Sequence, residues 1–298
     1  MRLKVSLFAL FLICAGQALA DEVKVSHGGI TLNASLEKAQ DDWTAGPVVL
    51  MTHGTLAHNR MEIMATLQEM LKERGVSSLS INLSQGVDNR KSVMYPCENP
   101  HRYKYDDAAE EIRAWVEWLK GEGVGNVAVL GHSRGGNQAA RFAAATDDPA
   151  VKMTFLLAPT TRAPGYAEKD YKRRYGKDLM PILQKARDLV AAGKGDEMIS
   201  PVDFIYCKET SASADAFVSN YNPDPNRDTP TVVPQIKMPV MVIAGTEDKV
   251  VAGLIEKMEP IADGEQVQLV VVDGADHFFL DLYSEDVADI ITETLGVE

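Results

Sequence analysis

From residue 48 to the C-terminus, short unbroken apolar runs alternate with stretches whose apolar residues recur every three or four positions. Val48-Val-Leu-Met-Thr52 is a continuous apolar run, the pattern of a strand buried on both faces. Arg60 to Arg74 follows with Met61, Met64, Leu67 and Leu71 at helical spacing, and Gly75 stops it. The alternation continues through a strand at Val76–Leu83 and an amphipathic helix over Lys104–Lys120 that carries Ile112, Trp115, Val116 and Leu119. Next come a strand from Val127, a helix-like segment at Asn137–Ala145 and a strand at Lys152–Ala158. It resumes with a strand at Met238–Ala244, a helix over about Val251–Ala262, a strand at Val267–Val272 and a final helix from Glu285 to about Leu295, with Ser284 as its N-cap. Ahead of all this, two alternating runs flank Gly28-Gly29 and predict a β-hairpin. Strands alternating with helices predict an α/β fold with a doubly wound, mostly parallel sheet.

Two stretches break the rhythm. Ser84 to Tyr103 is rich in turn formers and has no period; loops of that length are uncommon and often functional. Pro159 to Lys237 reads as an insertion of short helices and loops, with a helix at Met180–Ala192 and a polar loop at Asn220–Asp228.

The first twenty residues read as a signal peptide. Arg2 and Lys4 form a basic start, Leu7–Ala15 is apolar but too short to span a bilayer, and Ala18-Leu-Ala20 offers small residues for cleavage. Cleavage after Ala20 would leave residues 21–298 without a membrane anchor, in the periplasm or secreted. The leader holds two of the 30 basic residues and none of the 43 acidic ones, so the remainder carries a net charge of −15. Nucleic acids and anionic membrane surfaces are therefore disfavoured partners. Oligomeric state is left open. Cys97 and Cys207 remain after cleavage; an oxidising compartment permits one disulfide, and two buried thiols are the other outcome.

The chemistry concentrates at the carboxyl ends of strands, where open parallel sheets gather reactive groups. Gly131-His132-Ser133-Arg134-Gly135-Gly136 joins a strand to a helix through a sharp turn with a serine at its tip. A side chain at Gly131 or Gly135 would collide as strand folds into helix, and the serine itself sits in a strained conformation. A serine hydroxyl needs a neighbouring base, and a histidine base needs an acceptor on its other nitrogen. Asp248 and His277 follow two later strands, giving the chain order Ser, Asp, His. Asp276 is a rival acid, although adjacent residues rarely face one another, and Asp273 is a weaker one.

The mature chain resembles the α/β-hydrolase superfamily. The residues that carry the likeness are His53-Gly54, the Gly131–Gly136 segment, Gly245-Thr-Glu-Asp248 and Gly274-Ala-Asp-His277-Phe278. The resemblance implies Ser133 as nucleophile, Asp248 as acid and His277 as base, with backbone N–H groups of Thr55 and Arg134 as the oxyanion hole. It places a cap at about residues 159–237. The expected activity is a serine hydrolase that cleaves a small-molecule carboxylic ester through an acyl-enzyme. The same triad also serves thioesterases, peptidases and acyltransferases, and the fold also serves non-catalytic binding. His53, Tyr95 and His101 are candidate substrate contacts; His53 can equally brace the oxyanion loop. Arg134 is expected to use its backbone N–H while its side chain packs on the surface. The basic run Lys169–Lys177 reads as a solvated helix face, or as an attractor for an anionic substrate. Histidines lack paired ligand spacing and no glycine-rich phosphate loop occurs, so neither metal nor cofactor is expected.

Overall fold

The computed structural model describes residues 20–297. The expected signal peptide therefore lies outside the described residues, apart from Ala20. The chain opens with an antiparallel hairpin, β1 (Asp21–His27) and β2 (Ile30–Glu37), turned at the two glycines between them. Strands and helices then alternate through β3 (Val48–Thr52), α1 (Glu62–Glu73), β4 (Ser77–Asn82), α2 (Asp107–Gly121), β5 (Val127–His132), α3 (Arg134–Ala145) and β6 (Val151–Leu157). An insertion follows, made of α4 (Tyr166–Tyr175), α5 (Leu179–Ala191), β7 (Met198–Phe204), β8 (Cys207–Ser213), α6 (Ala214–Tyr221) and α7 (Thr229–Val232). The chain closes with β9 (Val240–Gly245), α8 (Leu254–Met258), β10 (Val267–Val272) and α9 (Leu282–Leu295).

The main sheet has the order β1-β2-β4-β3-β5-β6-β9-β10. β1 and β2 pair antiparallel, as do β2 and β4, and every later pairing is parallel. Helices cover both faces, so β3, β5 and β9 are buried at every position, which is why their sequences are unbroken apolar runs. β4 is buried too, although half of it is serine. Its polar groups are absorbed locally: Ser80 Oγ donates to Asn59 O at 2.8 Å, and Gln68 Nε2 donates to Ser35 O at 2.9 Å beside it.

Three local expectations need correction. The insertion is not only helices and loops, because β7 and β8 form an antiparallel hairpin. Pro201 and the half-polar Cys-Lys-Glu-Thr-Ser-Ala-Ser run hide its strand character. The helix expected over Val251–Ala262 is only Leu254–Met258, since Gly253 sits at φ 83° and starts it late. Ser284 is not the cap of the last helix. That helix begins at Leu282, and the buried Ser284 hydroxyl donates to Phe279 O at 2.5 Å from within its first turn.

Residues 84–103 are irregular yet firmly held. Arg90 donates to Asn82 Oδ1, Leu83 O, Ala57 O and Val93 O, each at 2.5–2.9 Å. A second apolar cluster, separate from the sheet core, packs Tyr95 and Tyr103 of this loop against Tyr171, Phe204 and Phe217 of the insertion. A disulfide joins Cys97 to Cys207, and Thr210 Oγ1 donates to Cys97 O at 2.6 Å. Loop and insertion thus form one layer over the carboxyl end of the sheet.

Candidate active site

The strand order reverses between β3 and β5. From β3 the chain steps out to β4, then returns across β3 to β5. Such a reversal leaves a crevice beyond the carboxyl ends of the two strands. Thr55 follows β3 and Ser133 follows β5, so both stand at this crevice. The turn at Ser133 is possible only because backbone touches backbone there. A Cβ on Gly131 would strike Gly135 O and come within 2.8 Å of the Ala139 Cβ; one on Gly135 would strike His53 O and Thr52 O. Ser133 itself sits at φ 57°, ψ −120°, a conformation that L-residues avoid. The fold holds it there: its N–H donates to Leu157 O at 3.0 Å, and its carbonyl accepts from Gly136 and Thr160 N–H at 3.0 and 3.1 Å.

Ser133, Asp248 and His277 converge. The Ser133 hydroxyl lies 2.9 Å from His277 Nε2, and His277 Nδ1 lies 2.8 Å from Asp248 Oδ2. The other Asp248 oxygen accepts from Val250 and Val251 N–H at 2.7 and 3.0 Å. Burial pushes the Asp248 carboxyl up, but these bonds, with that from His277, hold it below the ordinary carboxylate value. An ionised acceptor on Nδ1 fixes the tautomer that leaves Nε2 free to take a hydroxyl proton. Asp276 and Asp273 take no part: Asp276 Oδ1 accepts from Phe278 N–H, and Asp273 Oδ1 accepts from the Thr246 hydroxyl.

Thr55 and Arg134 line a cavity of about 80 Å³ together with Ser133. Neither backbone N–H has a protein acceptor among the described residues, and Arg134 opens α3, where first-turn N–H groups are free. The Arg134 side chain is not on the surface. It is 6% exposed, donates from Nη2 to Asn220 Oδ1 at 2.7 Å and lies 4.2 Å over the Tyr105 ring.

His53, Tyr95 and His101 do not line this cavity. The His53 ring is fully buried; Nδ1 donates to Gly54 O at 2.9 Å and Nε2 accepts from Leu83 N–H at 3.1 Å. It braces the loop before Thr55, and burial, then nearby Arg90, lowers its pKa to about 3. Tyr95 and His101 belong to the aromatic cluster beneath the insertion, with ring centroids 5.0 Å apart. The basic run Lys169–Lys177 is largely paired: Lys172 with Asp178, Arg173 and Arg174 with Asp170, and Lys177 with Asp203.

Two contributors escape sequence reasoning. His132 is buried directly under the site, and its Nε2–H donates to the His277 carbonyl at 2.9 Å. Burial, then neighbouring His277, lowers its pKa to about 4, so it is a neutral brace. Glu111 accepts from Ser84 N–H at 2.8 Å and from its hydroxyl at 2.5 Å, next to the Leu83 N–H that holds His53. Its only sequence signal is an acid at a position that α2 buries.

The insertion walls the cavity. Tyr166, Asp170, Arg174, Tyr206 and Asn220 all face it, alongside Val250 from the loop after Asp248. A larger cavity of about 310 Å³ adjoins it, sharing Arg162, Tyr166, Ala167, Asn220 and Tyr221 but not reaching Ser133.

Comparison with known proteins agrees with this architecture. The model of the Alpha/beta hydrolase family matches residues 48–290. No curated protein matches the sequence. Among solved structures, Est1E from Butyrivibrio proteoclasticus is 19% identical, with a TM-score of 0.62 over 92% of this chain and 99% of that one. The Pyrococcus furiosus esterase Pf2001 is 18% identical, with a TM-score of 0.57 over 93% and 90%. A monoacylglycerol lipase from Paleococcus ferrophilus is 18% identical, with a TM-score of 0.59 over 89% and 98%. These likenesses carry the fold, an eight-stranded mostly parallel sheet with helices on both faces.

Proposed function

The chain belongs to the Alpha/beta hydrolase family, and from that premise we propose that it is a serine hydrolase that cleaves carboxylic esters. The observation that carries this reading is the hydrogen-bonded line from Ser133 through His277 to Asp248. Ser133 Oγ attacks the ester carbonyl carbon while His277 Nε2 takes its proton. Asp248 stabilises the imidazolium that results. Negative charge gathers on the former carbonyl oxygen, and the N–H groups of Thr55 and Arg134 hold it. Collapse expels the alcohol, which leaves with the proton from His277. Water then attacks the acyl-enzyme, with His277 again as base, and releases the acid and Ser133.

The insertion over residues 159–237 acts as the cap that shapes acyl and alcohol specificity. The Pyrococcus furiosus esterase and the monoacylglycerol lipase among the similar structures support an ester as the substrate. The leader at residues 1–20 and the Cys97–Cys207 bond support export. Labelling with a fluorophosphonate probe, beside a Ser133→Ala control, tests the nucleophile. Hydrolysis of matched ester, thioester and amide substrates by the same protein tests the bond. A folded protein that takes no label and turns over none of the three would overturn the reading.

A further inference from the structure

The Ser133 cavity carries charge of the opposite sign to the chain. The full sequence stands at −13, yet the charged groups on this cavity's wall are Arg134, Arg162, Arg174 and one acid, Asp170. Asp170 is already shared between Arg173 and Arg174, at 2.5 and 2.6 Å. Arg134 has only neutral partners, Asn220 and the Tyr105 ring. Arg162 lies 5.4 Å over the Tyr166 ring and makes no ion pair among the described residues. Its backbone N–H holds Asp228 Oδ1 at 2.6 Å, but the ion pair of that carboxylate is with Lys257. A fourth guanidinium, Arg227, lines the larger adjoining cavity; it is 6% exposed, lies 3.4 Å over Tyr105 and reaches Asp224 Oδ2 from Nε at 3.5 Å, a carboxylate that Arg141 also holds at 2.5 Å. Burial, outweighing the neighbouring Tyr105, pushes the Arg227 pKa down to about 9, and Arg134, Arg162 and Arg141 push the same way.

Guanidinium groups that outnumber the carboxylates around them in a walled cavity cost free energy while the site is empty. An entering anion recovers that cost, and a carboxylate fits the planar fork through two parallel hydrogen bonds. Arg162 is placed to supply the fork. Its chain segment is tied to the Ser133 carbonyl through Thr160 N–H, and Arg162 lines both the small cavity and the larger one beside it. In the larger cavity, Asp224 is shared by Arg141 and Arg227 and Asp228 is paired with Lys257, while Glu168 is the remaining acid.

We propose that the ester cleaved at Ser133 carries a carboxylate on the part that lies beneath the insertion, and that Arg162 is the residue that selects it. The proposal rests on the serine-hydrolase reading above and names its substrate class. A local positive site in an acidic protein makes this selection by contact and short-range field, because the long-range field of the chain repels anions.

Two matched pairs test it. Mono-p-nitrophenyl adipate against p-nitrophenyl hexanoate puts the charge on the acyl side, and p-carboxyphenyl hexanoate against phenyl hexanoate puts it on the alcohol side. The wild-type protein is expected to favour one charged ester over its neutral partner by about tenfold or more in kcat/KM. High salt shrinks that ratio. Arg162→Gln is expected to cut the ratio about tenfold, and Arg162→Lys to restore part of it. Neutral esters cleaved as well as both charged ones, or a ratio unmoved by Arg162→Gln, sinks the proposal and leaves the hydrolase reading standing. Should the glutamine variant not fold, the wild-type ratio and its salt dependence decide alone. Failure of every ester together with failure of fluorophosphonate labelling sinks the hydrolase reading itself.

Discussion

The Nε2–H of His132 donates to the backbone carbonyl of His277 at 2.9 Å, so the residue before Ser133 holds the loop that carries His277. The two ring centroids lie 4.9 Å apart, and His132 does not itself line the Ser133 cavity. Its contribution is placement. Replacing it by leucine removes the donor and leaves the carbonyl without that partner. Small displacements of a catalytic group are costly, so His132→Leu is expected to lower kcat by about 10- to 100-fold with little change in KM. His132→Gln keeps a donor of similar reach and should recover part of the loss. Steady-state kinetics on a neutral ester reads both; a leucine variant with full kcat refutes the brace.

Asp248 offers a sharper test, because its geometry can survive loss of charge. In Asp248→Asn the remaining oxygen can still accept from Val250 and Val251 N–H. The amide nitrogen then faces His277 Nδ1 and favours the tautomer with a proton on Nε2, which cannot accept one from Ser133. The variant should fold with a nearly unchanged melting temperature and lose about four orders of magnitude in kcat. Fluorophosphonate labelling should slow in parallel. Activity within tenfold of wild type would move the acid role elsewhere.

The disulfide between Cys97 and Cys207 closes a loop of 110 residues and ties the irregular 84–103 segment to β8. Cross-links over a loop of about this size are worth roughly 4–5 kcal/mol through the unfolded chain. The double variant Cys97→Ser/Cys207→Ser should therefore lose about 4 kcal/mol in urea unfolding. The aromatic cluster of Tyr95, Tyr103 and Phe204 sits at the tied end, so near-ultraviolet circular dichroism should weaken first there. An unchanged unfolding midpoint would contradict this account.

What was legible in the sequence follows from where each residue finds its partners. β3, β5 and β9 announce themselves because burial on both faces demands unbroken apolar runs. β7 and β8 do not. Their buried positions face the 84–103 loop rather than the main core, Pro201 interrupts one strand, and Ile205-Tyr206 turns the hairpin without glycine. Ser133, Asp248 and His277 are readable because each closes a strand with a turn signature of its own. The side chain of Arg134 is not, since its burial depends on Tyr105 and on Asn220, 86 residues away. His132 stands inside the serine motif, but its role is defined by a carbonyl 145 residues on, which no local pattern reports.

Three buried histidines make stability depend on pH. Burial, the leading cause in each, lowers His53 to about 3 and His101 and His132 to about 4, against 6.5 ordinarily. Above pH 6.5 both folded and unfolded chains hold these rings neutral, and pH has no leverage through them. Below it the unfolded chain takes up protons that the folded chain refuses, so stability falls as pH drops toward 4. Glu111 pulls the other way: burial raises it to about 7 from 4.5, so its share is present below 4.5 and lost as pH rises through 7. Three protons against one leave a net loss of stability on acidification between 6.5 and 4.5. His101 isolates the effect, because its ring is fully buried, both nitrogens lack partners among the described residues and its ring neighbours are Tyr95, Tyr103 and Phe204. His101→Phe suits those surroundings and removes one titrating group. It should match or exceed wild-type stability at neutral pH and lessen the acid slope by about 1.4 kcal/mol per pH unit. Urea unfolding of both proteins at about pH 5 and pH 7 measures that slope. Identical slopes would show that His101 exchanges its proton as freely in the folded chain as in the unfolded one.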